Sequence, residues 1–419
     1  MKENPIQPNT ERAEMSPEEL HAWILDELGD TELATRVERH PELTAQFLRG
    51  DAYLSAEVFN MNSAIKKENP ELFQKLLDMA IQHGRLAPLS YERIVGNISE
   101  EEKARFLNIE RYFATKNLYR TGKNEREKTK EELAAIAYAT ERLNEKRRGY
   151  GLPEIVIEPE QVRMIMSEGF EHGSVGNSNI LYQEIQVATE NREEPDLYNT
   201  AFHELTHLMG YGALQNDEIS GKMVSRMYRV GLSVQSRQIE TNNAGGEQQE
   251  REAAPRATIQ KYLRNLNEAM TEEIANRMLA EVPSTEAMIG ETLLEHRLQV
   301  SEFVQQNAVQ FSERKWRPHW ISRVAMQNGE MDVNAWYAPH RIVMFELFRK
   351  IAERNPESFG GLSPEESEDV LFEMLQKAMF TGNILPFGRL FNDTFGAGKF
   401  REYGHLQTIK EQEEFVASL

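Results

Sequence analysis

Apolar residues recur at helical spacing in the first part of the chain, and capping sequences mark where helices begin. Residues 16–19, Ser-Pro-Glu-Glu, form a capping box with proline at the first helical position, and apolar residues at helical spacing follow. Similar capping sequences stand at residues 99–102 and 363–366. The pattern predicts an all-helical region over residues 16–122, preceded by a polar tail, residues 1–15, that we expect to be disordered.

The hydrophobic spacing changes after residue 150. Residues 154–157 and 162–166 are short β-like runs, and residues 173–178 are a loop of Gly, Ser and Asn. Side chains within residues 180–188 largely alternate between apolar and polar, which is typical of a half-buried strand. A helix over residues 197–210 is predicted next.

Beyond residue 210 the pattern predicts both strands and helices. Residues 223–238 have the pattern of a β-hairpin that turns near Gly231. Residues 241–256 are polar and contain glycine, which favours a flexible loop. A helix is predicted over residues 257–281, and a helical C-terminal part over residues 282–419. The predicted fold class is therefore α+β and mainly helical.

Composition and charge exclude several functions. The 419 residues carry a net charge of −20, which argues against nucleic acid and against an anionic membrane surface as partners. Cysteine is absent, so neither disulfides nor thiolate metal ligands are possible. No run of 18 apolar residues predicts a membrane span, and the polar N-terminus is unlike a Sec signal peptide. We expect a cytoplasmic protein, or one exported without such a signal.

The most specific chemical motif is His203-Glu204-Leu205-Thr206-His207. On a helix, His203 and His207 lie on one face, so their imidazoles can bind one Zn²⁺. The carboxylate of Glu204 can then act as general base toward a water that the metal activates. A catalytic zinc needs a third protein ligand and an open position for water.

The order of strand, short loop and metal-binding helix resembles that of the zincin metallopeptidases. Ala213 stands where the metzincin pattern has its third ligand, so that version is excluded. Residues 266–271, Leu-Asn-Glu-Ala-Met-Thr, resemble the Leu-Asn-Glu-Gly-Phe-Ala segment of aminopeptidase-type gluzincins. The resemblance implies that Glu268 is the third zinc ligand and that Glu272 hydrogen-bonds a ligand histidine. It also implies that residues 180–188 are the sheet-edge strand that binds the substrate backbone.

Other residues compete for some of these roles. The rival third ligands are Glu291, Glu295, His296 and Asp217. In gluzincins of this layout, a tyrosine well after the glutamate ligand stabilises the oxyanion. By that resemblance Tyr337 is the first candidate and His340 the second.

The sequence thus predicts a zinc-dependent peptidase, with residues 123–419 as a zincin-like catalytic region. Its substrate would be a protein or peptide, and we expect an endopeptidase because no segment suggests capture of a free peptide N-terminus. The alternative is a catalytically inactive zincin-like protein that binds or regulates a partner. In either case the helical N-terminal region is a candidate surface for a protein partner.

Overall fold

The structure is a computed structural model in which the chain divides into two compact units. One unit comprises Met1–Leu89, Ile98–Glu125 and Leu181–Glu184, and the other comprises Ser90–Asn97, Arg126–Ile180 and Ile185–Leu419. The described residues are 17–39, 64–65, 67–72, 75, 93–95, 125–166, 175–180, 183–190, 192, 194–219, 222–239, 257–283, 289–307, 317–321, 323–327 and 330–419. The predicted disordered tail and the predicted loop over residues 241–256 lie outside them.

The first unit contains two short helices, α1 (Pro17–Leu28) and α2 (Glu32–Glu38). Helix α1 begins directly after the serine of the predicted capping box. The side chain of Thr31 caps α2 by accepting a hydrogen bond from the backbone N–H of Ala34. Ile24 and Leu33 are buried, so each helix has an apolar side that contributes to the core of this unit.

The second unit contains the larger helices and nearly all the described strands. Its described helices are α3 (Lys130–Gly149), α4 (Glu194–Met209), α5 (Arg264–Glu281), α6 (Gly290–Gln306), α7 (Ala338–Arg354), α8 (Pro364–Thr381), α9 (Leu385–Phe395), α10 (Lys399–His405) and α11 (Ile409–Ser418). The described strands are β1 (Arg93–Val95), β2 (Glu125–Arg126), β3 (Val162–Ile165), β4 (Gly176–Asn179), β5 (Glu184–Ala188), β6 (Gly212–Ile219), β7 (Lys222–Val230), β8 (Ser233–Ile239), β9 (Ala257–Tyr262), β10 (Arg323–Gln327) and β11 (Glu330–Asn334). Short 3₁₀ turns lie at Pro159–Gln161, Pro318–Trp320 and Pro356–Phe359. The predicted class, α+β and mainly helical, is confirmed.

The strands form three small sheets. The largest has the order β1-β6-β7-β8-β9, in which β1 is parallel to β6 and the other neighbours are antiparallel. A second sheet has the order β2-β3-β5-β4, with β3 and β5 parallel, and β10 and β11 form an antiparallel pair. The predicted hairpin is confirmed, since β7 and β8 turn at Gly231, whose φ is +55°. A Cβ there would lie 2.4 Å from the side-chain oxygen of Asn267, so the turn requires glycine.

Several predicted elements were wrong in type or extent. Residues 257–262 form strand β9 rather than the first turns of a helix, because short apolar runs suit either structure. The strand predicted over residues 180–188 is shorter, since Gln183 has a left-handed φ of 51° and β5 begins at Glu184. Residues 154–157 form no strand. Strand β1 lies within the region predicted to be all-helical, and β10 and β11 lie within the predicted helical C-terminal part.

Helix α4 is central to the second unit. It packs against α3, α5, α6 and β4, and every residue from Pro195 to Met209 is buried. Seven of these buried residues are polar or charged: Asp196, Asn199, Thr200, His203, Glu204, Thr206 and His207. Buried polar groups are costly unless they have partners, so this helix requires a polar environment inside the unit. Among the described residues, no helix is both long and apolar enough to cross a membrane.

A buried ion cluster joins α5 to α7. Both oxygens of the Glu273 carboxylate are used. One oxygen accepts hydrogen bonds from Arg341 at 2.8 Å and from the Trp320 indole at 2.9 Å. The other lies 2.8 Å from Nε of Arg277 and 3.0 Å from Nε2 of His319. Although burial alone would raise the pKa of Glu273, these cations hold that pKa well below its usual range.

We expect Glu273→Gln to destabilise the second unit by about 3–5 kcal/mol at neutral pH, because the Arg341 charge would lose its buried partner. The folded-state pKa of Glu273 lies below its unfolded value of about 4.3. The stabilisation by the Glu273 carboxylate is therefore complete at pH values above the unfolded-state pKa, and is lost as pH falls through the folded-state pKa. We expect denaturant unfolding measured from pH 7 to pH 3 to show that the difference in free energy of unfolding between wild type and variant becomes smaller.

Asp369→Asn is the matched control, because Asp369 pairs with Arg277 at 3.1 Å but is exposed. Its effect should stay below about 1 kcal/mol at every pH. If the loss in free energy of unfolding for Glu273→Gln is small at pH 7, or does not depend on pH, this cluster does not stabilise the second unit as described.

Candidate metal centre

His203, His207 and Glu268 bring three ligand atoms together between α4 and α5. Nε2 of His207 lies 3.1 Å from Nε2 of His203, and 3.3 Å from a carboxylate oxygen of Glu268. The same oxygen lies 3.5 Å from Nε2 of His203. Both histidines are buried, and the three residues form a group that could hold a metal ion.

The spacing of these atoms matches the requirement of a tetrahedral metal. Ligands bound at about 2.0–2.1 Å with tetrahedral angles lie about 3.3 Å from one another. The three observed separations of 3.1, 3.3 and 3.5 Å bracket that value. Three protein ligands on one side leave the fourth tetrahedral position for a small molecule, as in catalytic sites.

Glu272 orients the first histidine. Its carboxylate lies 2.7 Å from Nδ1 of His203, so Nδ1 donates and the lone pair of Nε2 faces the centre. The other oxygen of Glu272 accepts hydrogen bonds from the amides of Asn199, at 2.8 Å, and Asn276, at 2.6 Å. Glu272 thus contacts a histidine of the motif, as the sequence predicts. No local sequence pattern predicts the contacts of the two asparagines.

Thr271 orients the second histidine in the same way. Its hydroxyl donates to the carbonyl of Asn267 at 2.8 Å, which leaves the oxygen as an acceptor 3.4 Å from Nδ1 of His207. The side-chain NH₂ of Asn267 also lies 3.4 Å from that nitrogen. If Nδ1 accepted a hydrogen bond from Asn267, the proton of a neutral imidazole would be on Nε2. If Nδ1 donates to Thr271, the lone pair of Nε2 faces the centre, so we assign the Nδ1–H hydrogen bond of His207 to Thr271. Sequence analysis missed Thr271, although it lies on the same helix face as Glu268.

The centre concentrates negative charge in a buried place. Glu204 and Glu272 are buried, Glu268 is only partly accessible, and within the described chain none of the three pairs with a lysine or arginine. Burial would raise the pKa of Glu268, but the two histidines outweigh burial and hold that pKa well below its usual range. Burial likewise opposes the charge of His203, yet Glu268 and Glu272 raise its pKa well above the ordinary value. A cation bound at the centre would offset negative charge that these histidines only partly compensate.

Strand β4 runs beside Glu204. The hydroxyl of Ser178 hydrogen-bonds the Glu204 carboxylate, and burial raises the pKa of Glu204. A Cβ on Gly176 would lie 2.6 Å from Oε1 of Glu204, so only glycine allows the strand this close. Strand β4 is last in its sheet, whereas β5 lies between β3 and β4. The edge strand beside Glu204 in the described structure is therefore β4, residues 176–179. The prediction that residues 180–188 form the sheet-edge strand was wrong.

Tyr337 and His340 approach the centre from the start of α7. The ring of Tyr337 stacks on His203, with centroids 5.3 Å apart and planes 9° from parallel. The ring of His340 packs edge to face against that of Tyr337, with centroids 5.1 Å apart. Tyr337 has a left-handed φ of 53°, an uncommon conformation for a non-glycine residue that is often found at functional sites. Burial raises the pKa of Tyr337 and lowers that of His340.

The three rival ligands on α6 are not part of this group. Glu291, Glu295 and His296 lie on α6, and Nε2 of His296 lies 3.4 Å from the carbonyl oxygen of Ile321. The backbone of Asp217, the fourth rival, lies in strand β6, but its side chain lies outside the described part of the structure, so that alternative stays a prediction. Within the described residues, the group with metal-binding geometry consists of His203, His207 and Glu268 alone.

No protein-family model, no curated protein and no solved structure matches this chain. Any function must therefore be argued from the geometry and chemistry of the centre itself.

We expect Thr271→Val to weaken metal binding about 10- to 100-fold, because His207 would lose the acceptor that orients it. Competition of the purified protein with a chromogenic chelator for Zn²⁺ measures this directly. Thr206→Val is the matched control, since Thr206 is also buried and also donates to the carbonyl four residues earlier, at 2.7 Å. Equal metal affinity in the two variants would refute the assignment of Thr271.

Proposed function

We propose that this protein is a zinc-dependent peptidase whose second unit contains a zincin-like catalytic region within residues 123–419. The observation that carries the proposal is the tetrahedral spacing of the three ligand atoms beside the buried carboxylate of Glu204. Two imidazoles, one carboxylate and an open position are a ligand set of catalytic zinc sites. Hard cations such as Mg²⁺ and Ca²⁺ prefer oxygen ligands, so this set favours zinc.

Zinc bound there would act as a Lewis acid, acidifying a water and polarising the scissile carbonyl. The residues of the chain supply the rest of the chemistry. Glu204 accepts a proton from the water while the water oxygen attacks the carbonyl carbon. When the C–N bond breaks, Glu204 passes that proton to the departing amine, so the peptide bond and one water become a carboxyl group and an amine.

The position of β4 supports binding of an extended peptide. Because β4 ends its sheet in the described structure, a substrate strand could pair with it by β-augmentation. Such pairing would hold the scissile bond near Glu204, which Ser178 and the close backbone at Gly176 hold in position. An interior stretch of peptide fits this mode of binding, which favours an endopeptidase.

Tyr337 is the residue best positioned to stabilise the oxyanion. Its ring stacks on His203, whereas the ring of His340 contacts that of Tyr337. Burial and the nearby glutamates raise the pKa of Tyr337 above the ordinary tyrosine value of about 10, so the hydroxyl is protonated at neutral pH and can donate a hydrogen bond as negative charge develops.

The first test measures metal and cleavage together. We expect the purified protein to contain about one zinc per chain and to cleave members of a mixed peptide library, detected by mass spectrometry. Glu204→Gln should retain zinc but lose hydrolysis by at least about 100-fold, since general-base catalysis contributes at least that much. His203→Ala should lose both zinc and hydrolysis.

Each outcome bears on a separate part of the proposal. Cleavage that survives in Glu204→Gln would remove Glu204 from the mechanism. Zinc binding by the wild type without cleavage of any library peptide would refute the peptidase and support a binding role. Equal zinc content in wild type and His203→Ala would refute the centre itself.

A second test separates Tyr337 from His340. Tyr337→Phe keeps the ring that stacks on His203 but removes the hydroxyl, so kcat should fall about 100- to 1000-fold while zinc content stays constant. His340→Asn should change kcat much less, because the ring of His340 contacts Tyr337, whereas the ring of Tyr337 contacts His203 itself. Peptide hydrolysis assays under saturating substrate measure both, and the reverse order of effects would assign the donor role to His340.

A further inference from the structure

A cavity of about 260 Å³ lies in the second unit, and neither His203, His207 nor Glu268 lines it. It is bounded by α5, α6 and residues 318–321. Its walls are mostly apolar, and include Leu279, Leu293, Val300 and Ile321. An apolar cavity of about 150 Å³ is enough to bind benzene, so this cavity has room for a ring with a short chain.

Arg297 is the one arginine or lysine among the described lining residues of the cavity, and its hydrogen-bond acceptors are backbone carbonyls rather than carboxylates. The guanidinium of Arg297 donates to the backbone carbonyls of Leu293, Ala280 and Val282. An arginine has five N–H donors, so two remain for another acceptor. Among the described residues that line the cavity, none is an aspartate or glutamate. Apolar walls with a single cationic group favour an amphipathic anion as occupant.

The polar network behind His203 separates this cavity from the metal centre. Asn276 lines the cavity, and its amide donates to Glu272 at 2.6 Å and to Asn199 at 3.0 Å. Asn276 lies eight residues after Glu268, which is about 12 Å along the helix. The cavity is therefore separate from the proposed catalytic centre. Asn276 in its wall nevertheless hydrogen-bonds Glu272, the residue that orients His203.

We propose that this cavity is a binding site for a small aromatic or branched aliphatic carboxylate. The apolar part of the ligand fills the space between α5 and α6, and its carboxylate accepts hydrogen bonds from the two remaining N–H groups of Arg297. This inference is independent of peptidase activity, because it rests on the cavity and on Arg297 alone.

Three probes that share a phenyl ring and a three-carbon chain test the charge preference: 3-phenylpropionate, 3-phenylpropan-1-ol and 3-phenylpropylamine. We expect ligand-observed NMR on the full chain to give affinities in the order acid, alcohol, amine, with the acid about tenfold tighter than the alcohol. Equal affinity for acid and amine, or saturable binding of none of them, would overturn the proposal.

Two variants locate the binding. Ser301→Trp fills the cavity from an exposed position that lines it, and should abolish binding of the acid. Gln299→Trp is the matched control, because Gln299 is exposed on the same helix but does not line the cavity. Binding of the acid that persists in Ser301→Trp would place it elsewhere, such as on the metal, and would refute the site.

Arg297→Met tests the guanidinium while keeping the apolar stem. The acid should lose its tenfold advantage over the alcohol, and the alcohol should bind as before. If this variant does not fold, as judged by circular dichroism, the probe series and the Ser301→Trp comparison still decide the proposal.

Discussion

The pairing of α4 with α5 is the interaction on which the candidate centre depends. Three successive contacts join the two helices: His207 with Thr271, His203 with Glu272, and Asn199 with Asn276. Each contact joins polar side chains that would be costly to bury alone. The three candidate ligand atoms meet because these contacts set the alignment of one helix against the other, and a cation bound between them would balance negative charge of the carboxylates.

Two adjacent glutamates on α5 face different neighbours. Glu272 contacts a ligand histidine on α4, while Glu273 contacts Arg341 on α7. Arg341 lies one turn after Tyr337, and its backbone N–H donates to the Tyr337 carbonyl at 3.0 Å. The same helix therefore supports the metal ligands on one side and, on another, the helix that brings the tyrosine ring onto His203. The geometry of the centre and the stability of its surroundings share one structural element.

The parts of the site that sequence could predict are those encoded by local spacing. The motif helix and the Glu268–Glu272 pair follow from residues three to four positions apart. The motif helix was predicted close to its observed extent, whereas the helix that carries the pair begins at Arg264, seven residues later than predicted. Strand β4 was missed because Gly176–Asn179 consists of Gly, Asn and Ser, which have low strand propensity. The roles of Thr271 and Asn199 depend on which helix packs opposite them, and no local pattern encodes that. The long connection between the motif and Glu268 contains strands β6 to β9, which short apolar runs only partly reveal.

The segment from Glu268 to Glu273 cannot change in length. One inserted or deleted residue would rotate the later positions by about 100° around the helix axis. Glu268 and Glu272 would then no longer share a face, and Glu273 would lose Arg341 at the same time. A change in the length of the connection between α4 and α5 does not rotate these positions relative to one another, because it lies before the helix begins. Among homologous chains, variation in length should therefore accumulate between the two metal-binding helices and be absent within this half-dozen residues.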